Sequence, residues 1–155
     1  MGILTETPAE RDERYMRMAL QEAAAAAEEG EVPVGAVIVI GDKVIARTHN
    51  RTERLNDVTA HAEMMAITAA ADYLNGKYLP DCTLYVTVEP CAMCAGALGW
   101  SQIGRIVYGA ADPKRGMHTL YGSPRGPLHP KTLLEGGVLA EECGMIMKDF
   151  FKRRR

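Results

Sequence analysis

His61-Ala62-Glu63 and Pro90-Cys91-Ala92-Met93-Cys94 carry residue types that do metal chemistry. One imidazole and two thiols can hold a zinc ion on three sides and leave a fourth position for water, the arrangement of catalytic zinc. Zinc lowers the pKa of its bound water to roughly 7, so hydroxide becomes available as a nucleophile at neutral pH. Glu63 is not needed as a ligand and is free to move protons. The i, i+3 spacing of Cys91 and Cys94 puts both thiols on one face of a helix. With His61 in the first turn of one helix and the cysteines in the first turn of the next, two helix N-termini converge on the metal and favour thiolate over thiol. Glu63 then points about 200° around its helix from His61, into the cleft beside the metal.

The elements that must position these residues are legible along the chain. Residues 8–29 read as a helix, with Tyr15, Met18, Ala19, Glu22 and Ala26 at helical spacing and Gly30 as the stop. Residues 34–40 form a nearly all-apolar strand, expected to be covered on both faces. Gly41-Asp42 turns the chain into a second strand at 43–49, giving a hairpin. After a polar loop at 50–58, Thr59 or Asp57 is a candidate cap for a helix over 60–74. A β-branched strand at 83–89 leads to Pro90, expected to open a helix over 91–100. A fourth strand is expected at 103–109 and a short fifth near 132–134. Residues 112–131, rich in Gly, Pro and His, read as one long functional loop. A final helix is expected over 138–152. This order implies a mixed sheet with helices on both faces.

Composition narrows the class. The 155 residues suit a single domain, with 1–8 and 153–155 expected to be disordered, and the 47% hydrophobic and 25% charged content is that of a soluble globular protein. The longest apolar run, 34–40, is far short of the roughly 20 residues that span a bilayer, and no secretory leader is visible, so a cytoplasmic location without membrane contact is expected. In that reducing setting Cys82 and Cys143 read as plain buried thiols. The net charge of −2 is uneven, because residues 1–75 carry seven Lys/Arg against thirteen Asp/Glu, and the rest carry eleven against seven. The basic half ends in Lys152-Arg153-Arg154-Arg155, which can face a polyanion or simply complement the helix dipole.

At these residues the chain resembles the cytidine-deaminase-like zinc enzymes, and within them the tRNA adenosine deaminase branch. The metal motif is the H-x-E and P-C-x-x-C pair of zinc deaminases. The likeness extends through Pro33-Val34-Gly35-Ala36-Val37, Asn50-Arg51, Leu84 to Ala97, Ile103 to Ala110, Asp112-Pro113-Lys114-Arg115-Gly116, Gly137-Val138-Leu139 and Asp149-Phe150-Phe151. It implies a three-layer α/β/α sandwich around a mixed five-stranded sheet, one zinc ion per subunit, a homodimer, and hydrolytic deamination of adenosine to inosine at the wobble position of a tRNA anticodon. His61, Cys91 and Cys94 would bind zinc, with bound water or hydroxide as nucleophile, and Glu63 would shuttle protons. Asn50 would hydrogen-bond the flipped base, the Ala60 backbone would lie close to it, and Val34 would help wall the pocket. Asp112 and Lys114, with Phe150, Phe151 and the basic tail, would hold the anticodon loop. The chain departs from the branch at 117–131, MHTLYGSPRGPLHPK, where the branch carries a different stretch ending in Asn-His-Arg.

Two other readings stay open. A free nucleobase or nucleoside deaminase, of guanine or cytosine type, would use the same metal core. A structural-zinc RNA module would need a fourth protein ligand, from Cys82, Cys143, His118 or His129. Of the remaining residues, His129 reads as an RNA contact or a loop brace, and Arg125 and Lys131 as phosphate contacts. His49 is expected as a surface histidine, His118 as loop polarity, Trp100 as core or dimer interface, and the methionines as gap-filling core.

Overall fold

The computed structural model describes residues 5–122 and 125–154. The expected disorder at the ends therefore falls partly on residues 1–4 and 155, which lie outside the described residues. Helix α1 runs Pro8–Glu28, and its start is closed by its own side chains: Thr7 accepts from the Glu10 N–H and the Glu10 carboxylate accepts from the Thr7 N–H, both at 3.1 Å. This reciprocal pair satisfies two of the N–H groups that a helix start leaves free. The hairpin follows as β1 (Gly35–Ile40) and β2 (Lys43–His49), then α2 (Ala62–Leu74), β3 (Cys82–Val88), α3 (Ala92–Ser101) and β4 (Arg105–Ala110). The chain closes with α4 (Met117–Tyr121), β5 (Leu133–Gly136) and α5 (Ala140–Arg153). Helix α4 corrects the reading of 112–131 as one loop; a helix of five residues draws its stability from tertiary packing and leaves little local signature.

The sheet order is β2-β1-β3-β4-β5, with β1 antiparallel to both β2 and β3, and β4 parallel to β3 and β5. Strand residues alternate between two cores. Ala36, Ile38, Leu84, Val86 and Ile106 face α2 and α3, packing on Ala62, Ala66, Ala95 and Leu98. Val37, Val39, Tyr85 and Val107 face the other way, onto Tyr15, Met16 and Ala19 of α1 and Cys143 of α5. The result is the expected three-layer α/β/α sandwich. Gly35 lets β1 approach α1 closely, since a Cβ there would strike the Ala19 carbonyl. Between those layers Asp12 takes hydrogen bonds from the Tyr85 hydroxyl at 2.7 Å and from both Arg105 terminal nitrogens at 2.8 and 2.7 Å. Burial pushes the Asp12 carboxyl up, but the Arg105 and Tyr85 hydrogen bonds and the Arg105 charge outweigh it and hold the group below the usual carboxylate range.

The pairing directions matter for function. β2, β3 and β4 all point the same way, so Asn50, Glu89 and Asp112 leave the sheet at one edge, where β1 also begins. Carboxyl-terminal strand ends at a change of strand order are where open α/β sheets place ligand sites. Among the described residues, no helix is long and apolar enough to cross a membrane.

Candidate active site

The metal-type residues sit at helix caps, one step earlier than expected. His61 is the N-cap of α2 and Cys91 the N-cap of α3, both in extended backbone, and neither makes a side-chain capping bond. The expected caps are spent elsewhere: the Asp57 carboxylate accepts from the Thr59 N–H and hydroxyl, closing a turn ahead of the helix. Cys94 lies in the first turn of α3 and is buried. The three meet as expected. His61 Nδ1 is 3.6 Å from Cys91 Sγ and 3.5 Å from Cys94 Sγ, and all three donor atoms lie within 4.8 Å of one another. A tetrahedral ion with zinc–nitrogen bonds of about 2.0 Å and zinc–sulfur bonds of about 2.3 Å sets its N···S edges at about 3.6 Å, so the donor set fits zinc.

The thiols are prepared for a cation. A hydrogen bond from the Cys94 thiol holds the Cys91 thiol down, to about 4, with His61 adding to the effect. Cys94, which gives its proton to that bond and is buried, is pushed up. The pair thus holds one negative charge between them, and a dication converts both to thiolates. Glu63 is buried beside them. Burial, with the Cys91 charge adding to it, pushes its carboxyl up to about 7. A group that must both take and return a proton at neutral pH needs that setting.

The other candidates divide. Asn50 is buried, and its Nδ2 donates to the Val32 carbonyl at 3.2 Å while its Oδ1 accepts from the Thr52 N–H at 3.3 Å. Its N–H donates to the Val34 carbonyl, and the Ala60 carbonyl accepts from the Arg51 N–H at 3.0 Å, which ties Val34, Asn50 and Ala60 to His61. A cleft of about 520 Å³ opens beside His61, between the 52–58 loop and Arg115. Asp112 closes a turn by accepting from the Lys114 and Arg115 N–H groups, both at 3.0 Å, and Lys114 is exposed. Phe150 and Phe151 pack edge-on at the end of α5, with Arg154 over the Phe150 ring at 4.6 Å and bonded to the Gly30 carbonyl at 2.7 Å.

The structure does not bring His129 to the metal ligands. Its ring accepts from the Lys131 N–H, and its segment lies against Gly99, near the far end of α3 from Cys91. Arg125 is spent as a brace, donating to the His129, Pro130 and Thr132 carbonyls. His49 is buried between Glu22 and Glu29 and not on the surface. Trp100 is 85% exposed, which removes the core reading. Cys82 and Cys143 are buried thiols as expected. No fourth ligand joins the triad among the described residues.

Two buried acids escaped the sequence reading. Glu31 accepts from the Glu53 and Arg54 N–H groups at 3.0 and 2.8 Å and holds the cleft loop. Glu89 accepts from the Asp112 and His118 N–H groups, both at 3.1 Å, and from the His118 ring. The signal was available at Glu89, which stands at the end of a mostly apolar run beside Pro90 of the metal motif, where burial demands partners; Glu31, after Glu28-Glu29-Gly30, carried no such mark.

Residues 9–110 match the cytidine and deoxycytidylate deaminase zinc-binding region. The tRNA-specific adenosine deaminase of Agrobacterium fabrum is 44% identical over 145 residues, 91% of this chain and 94% of its own. A solved structure from work on A-to-I editing by tRNA:A34 deaminases at the wobble position of transfer RNA superimposes with a TM-score of 0.79 at 44% identity, covering 86% of this chain and 98% of that one. The guanine deaminase of Bacillus subtilis superimposes with a TM-score of 0.61 at 33% identity, covering 74% and 71%.

Proposed function

This chain belongs to the cytidine and deoxycytidylate deaminase family of zinc-binding proteins, and from that premise we propose that it hydrolyses adenosine to inosine at the wobble position of a tRNA anticodon, releasing ammonia. The observation that carries the reaction is the buried Glu63 carboxyl beside a three-donor zinc set. The substrate follows from 44% identity spanning more than nine-tenths of both chains.

His61, Cys91 and Cys94 would hold a zinc ion, which would supply a water molecule acidified enough to serve as nucleophile near neutral pH. Glu63 takes the proton that water gives up and delivers it to the ring nitrogen next to C6. It carries the second proton to the departing amine, so water adds, ammonia leaves, and the carboxyl ends as it began. Asn50, fixed by the 32–34 and 52 backbone, presents its remaining amide hydrogen and lone pair to the base edge. The Ala60 backbone and Val34 close the pocket around the ring. An anticodon loop gives up an unpaired base at small cost, and Asp112, Lys114, Phe150, Phe151 and the basic tail hold the flanking nucleotides. His129 braces the 125–132 segment in this scheme. The enzyme works as a cytoplasmic homodimer.

The test is mass spectrometry of an anticodon stem-loop with adenosine at the wobble position, run beside guanine, cytosine and free adenosine. The RNA should gain the adenosine-to-inosine shift while the small molecules stay unchanged; deamination of guanine alone would move the reading to a nucleobase deaminase. Glu63→Ala should keep zinc and fold and lose at least about 10³-fold in kcat.

A further inference from the structure

Behind the metal ligands, a buried acid ties two functional segments together. Glu89 directly follows β3, two residues before Cys91, and its side chain is 1% exposed. It receives the Asp112 N–H at 3.1 Å, the His118 N–H at 3.1 Å and the His118 Nδ1. These donors come from both ends of the 112–118 segment, so one carboxylate staples the whole turn. The backbone repeats the fastening: the Met117 N–H donates to the Pro90 carbonyl at 3.0 Å, and Cys91 and Gly116 form an isolated antiparallel bridge. Gly116 is required there, because a Cβ would strike the Glu89 carboxylate. The stapled turn carries Arg115, which stands on the rim of the cleft facing His61 and the 52–58 loop.

Burying a carboxylate is costly unless hydrogen bonds compensate, and His118 supplies the one side-chain donor among the three. The His118 side chain is 42% exposed, so its removal leaves the core intact. We propose that Glu89 and His118 are positioning residues that hold the 112–116 turn, and with it Arg115, at the cleft mouth, so that grip on the RNA loop is set from behind a zinc ligand. The inference rests on the RNA reading above and names a part of that site. Arg115 then acts on affinity for the strand flanking the target and not on the chemical step.

The experiment uses zinc-loaded protein carrying Glu63→Ala, so that the stem-loop binds without turning over, and full-activity protein in parallel. His118→Ala should weaken stem-loop binding about tenfold, the size of a lost hydrogen bond to a charged group. It should raise KM by a similar factor with kcat and zinc content unchanged. His118→Asn, whose amide can replace the Nδ1 donor, should restore both. Arg115→Ala should weaken binding in the same way and make it less sensitive to salt. Unchanged binding in His118→Ala, or a fall in kcat at constant KM, overturns the inference while wild-type deamination of the stem-loop leaves the RNA reading standing. A wild type that ignores the stem-loop overturns both.

Discussion

Helix α1 and the helices that carry the candidate metal ligands begin in opposite ways. At α1, Thr7 and Glu10 close the first turn with their own side chains. At α2 and α3 the same cap position holds His61 and Cys91, and no side-chain bond closes either turn. A good cap contributes about 1 kcal/mol. The metal face therefore gives up both of its caps where α1 keeps its own, and turns those positions toward each other instead. The two faces differ in their polar interior as well. Asp12, Tyr85 and Arg105 satisfy one another between α1 and the sheet. On the other face the His61, Cys91 and Cys94 donor atoms converge within 4.8 Å of one another with the buried Glu63 beside them. The lesson is that the charged groups between α1 and the sheet pair with one another, whereas those at the metal face converge on a place for a ligand.

Removing zinc should expose that difference most. Chelation should lower unfolding stability by about 4 kcal/mol where free zinc had stood near a thousand times its Kd. Amide exchange should quicken at the starts of α2 and α3 and stay slow at the start of α1; equal quickening at all three would remove the contrast. Next in size, Asp12→Asn should cost about 2 kcal/mol at neutral pH, by breaking a buried pair while Arg105 keeps some access to water. Because the folded Asp12 value is depressed, its contribution is full above the unfolded value of about 4 and is lost as pH falls through the folded value. Denaturant midpoints across the acid range should then fall less steeply in Asp12→Asn than in the wild type. Smallest, Thr7→Ala should cost about 1 kcal/mol with kcat and zinc content unchanged. A change in zinc content there would mean that the two sides of the sheet are not independent.

The same contrast explains what was legible in sequence. The His61, Cys91 and Cys94 set could be read because its spacing is local to two helix starts, and the apolar periods around it placed those helices within two residues. The caps themselves were misplaced. Thr59 and Asp57 are good caps by residue type, but Asp57 bonds Thr59 instead. Residue type cannot show that a histidine will stand at a cap without capping. His49 and His118 were misjudged for a related reason: their partners, Glu22, Glu29 and Glu89, are distant in sequence, so no local pattern announces them. Arg125 looked free for phosphate because its acceptors are backbone carbonyls, which carry no residue signature.

The direction of β2 has a practical side. The strand is seven residues long and runs from the exposed Gly41-Asp42 turn to Asn50. That turn therefore stands about 20 Å from the working edge, at the opposite end of the sheet. A fluorophore, surface anchor or fused domain attached there would leave the edge that carries the His61, Cys91 and Cys94 set open. The hairpin tip is thus a natural handle for immobilising the enzyme or tethering it to a second protein.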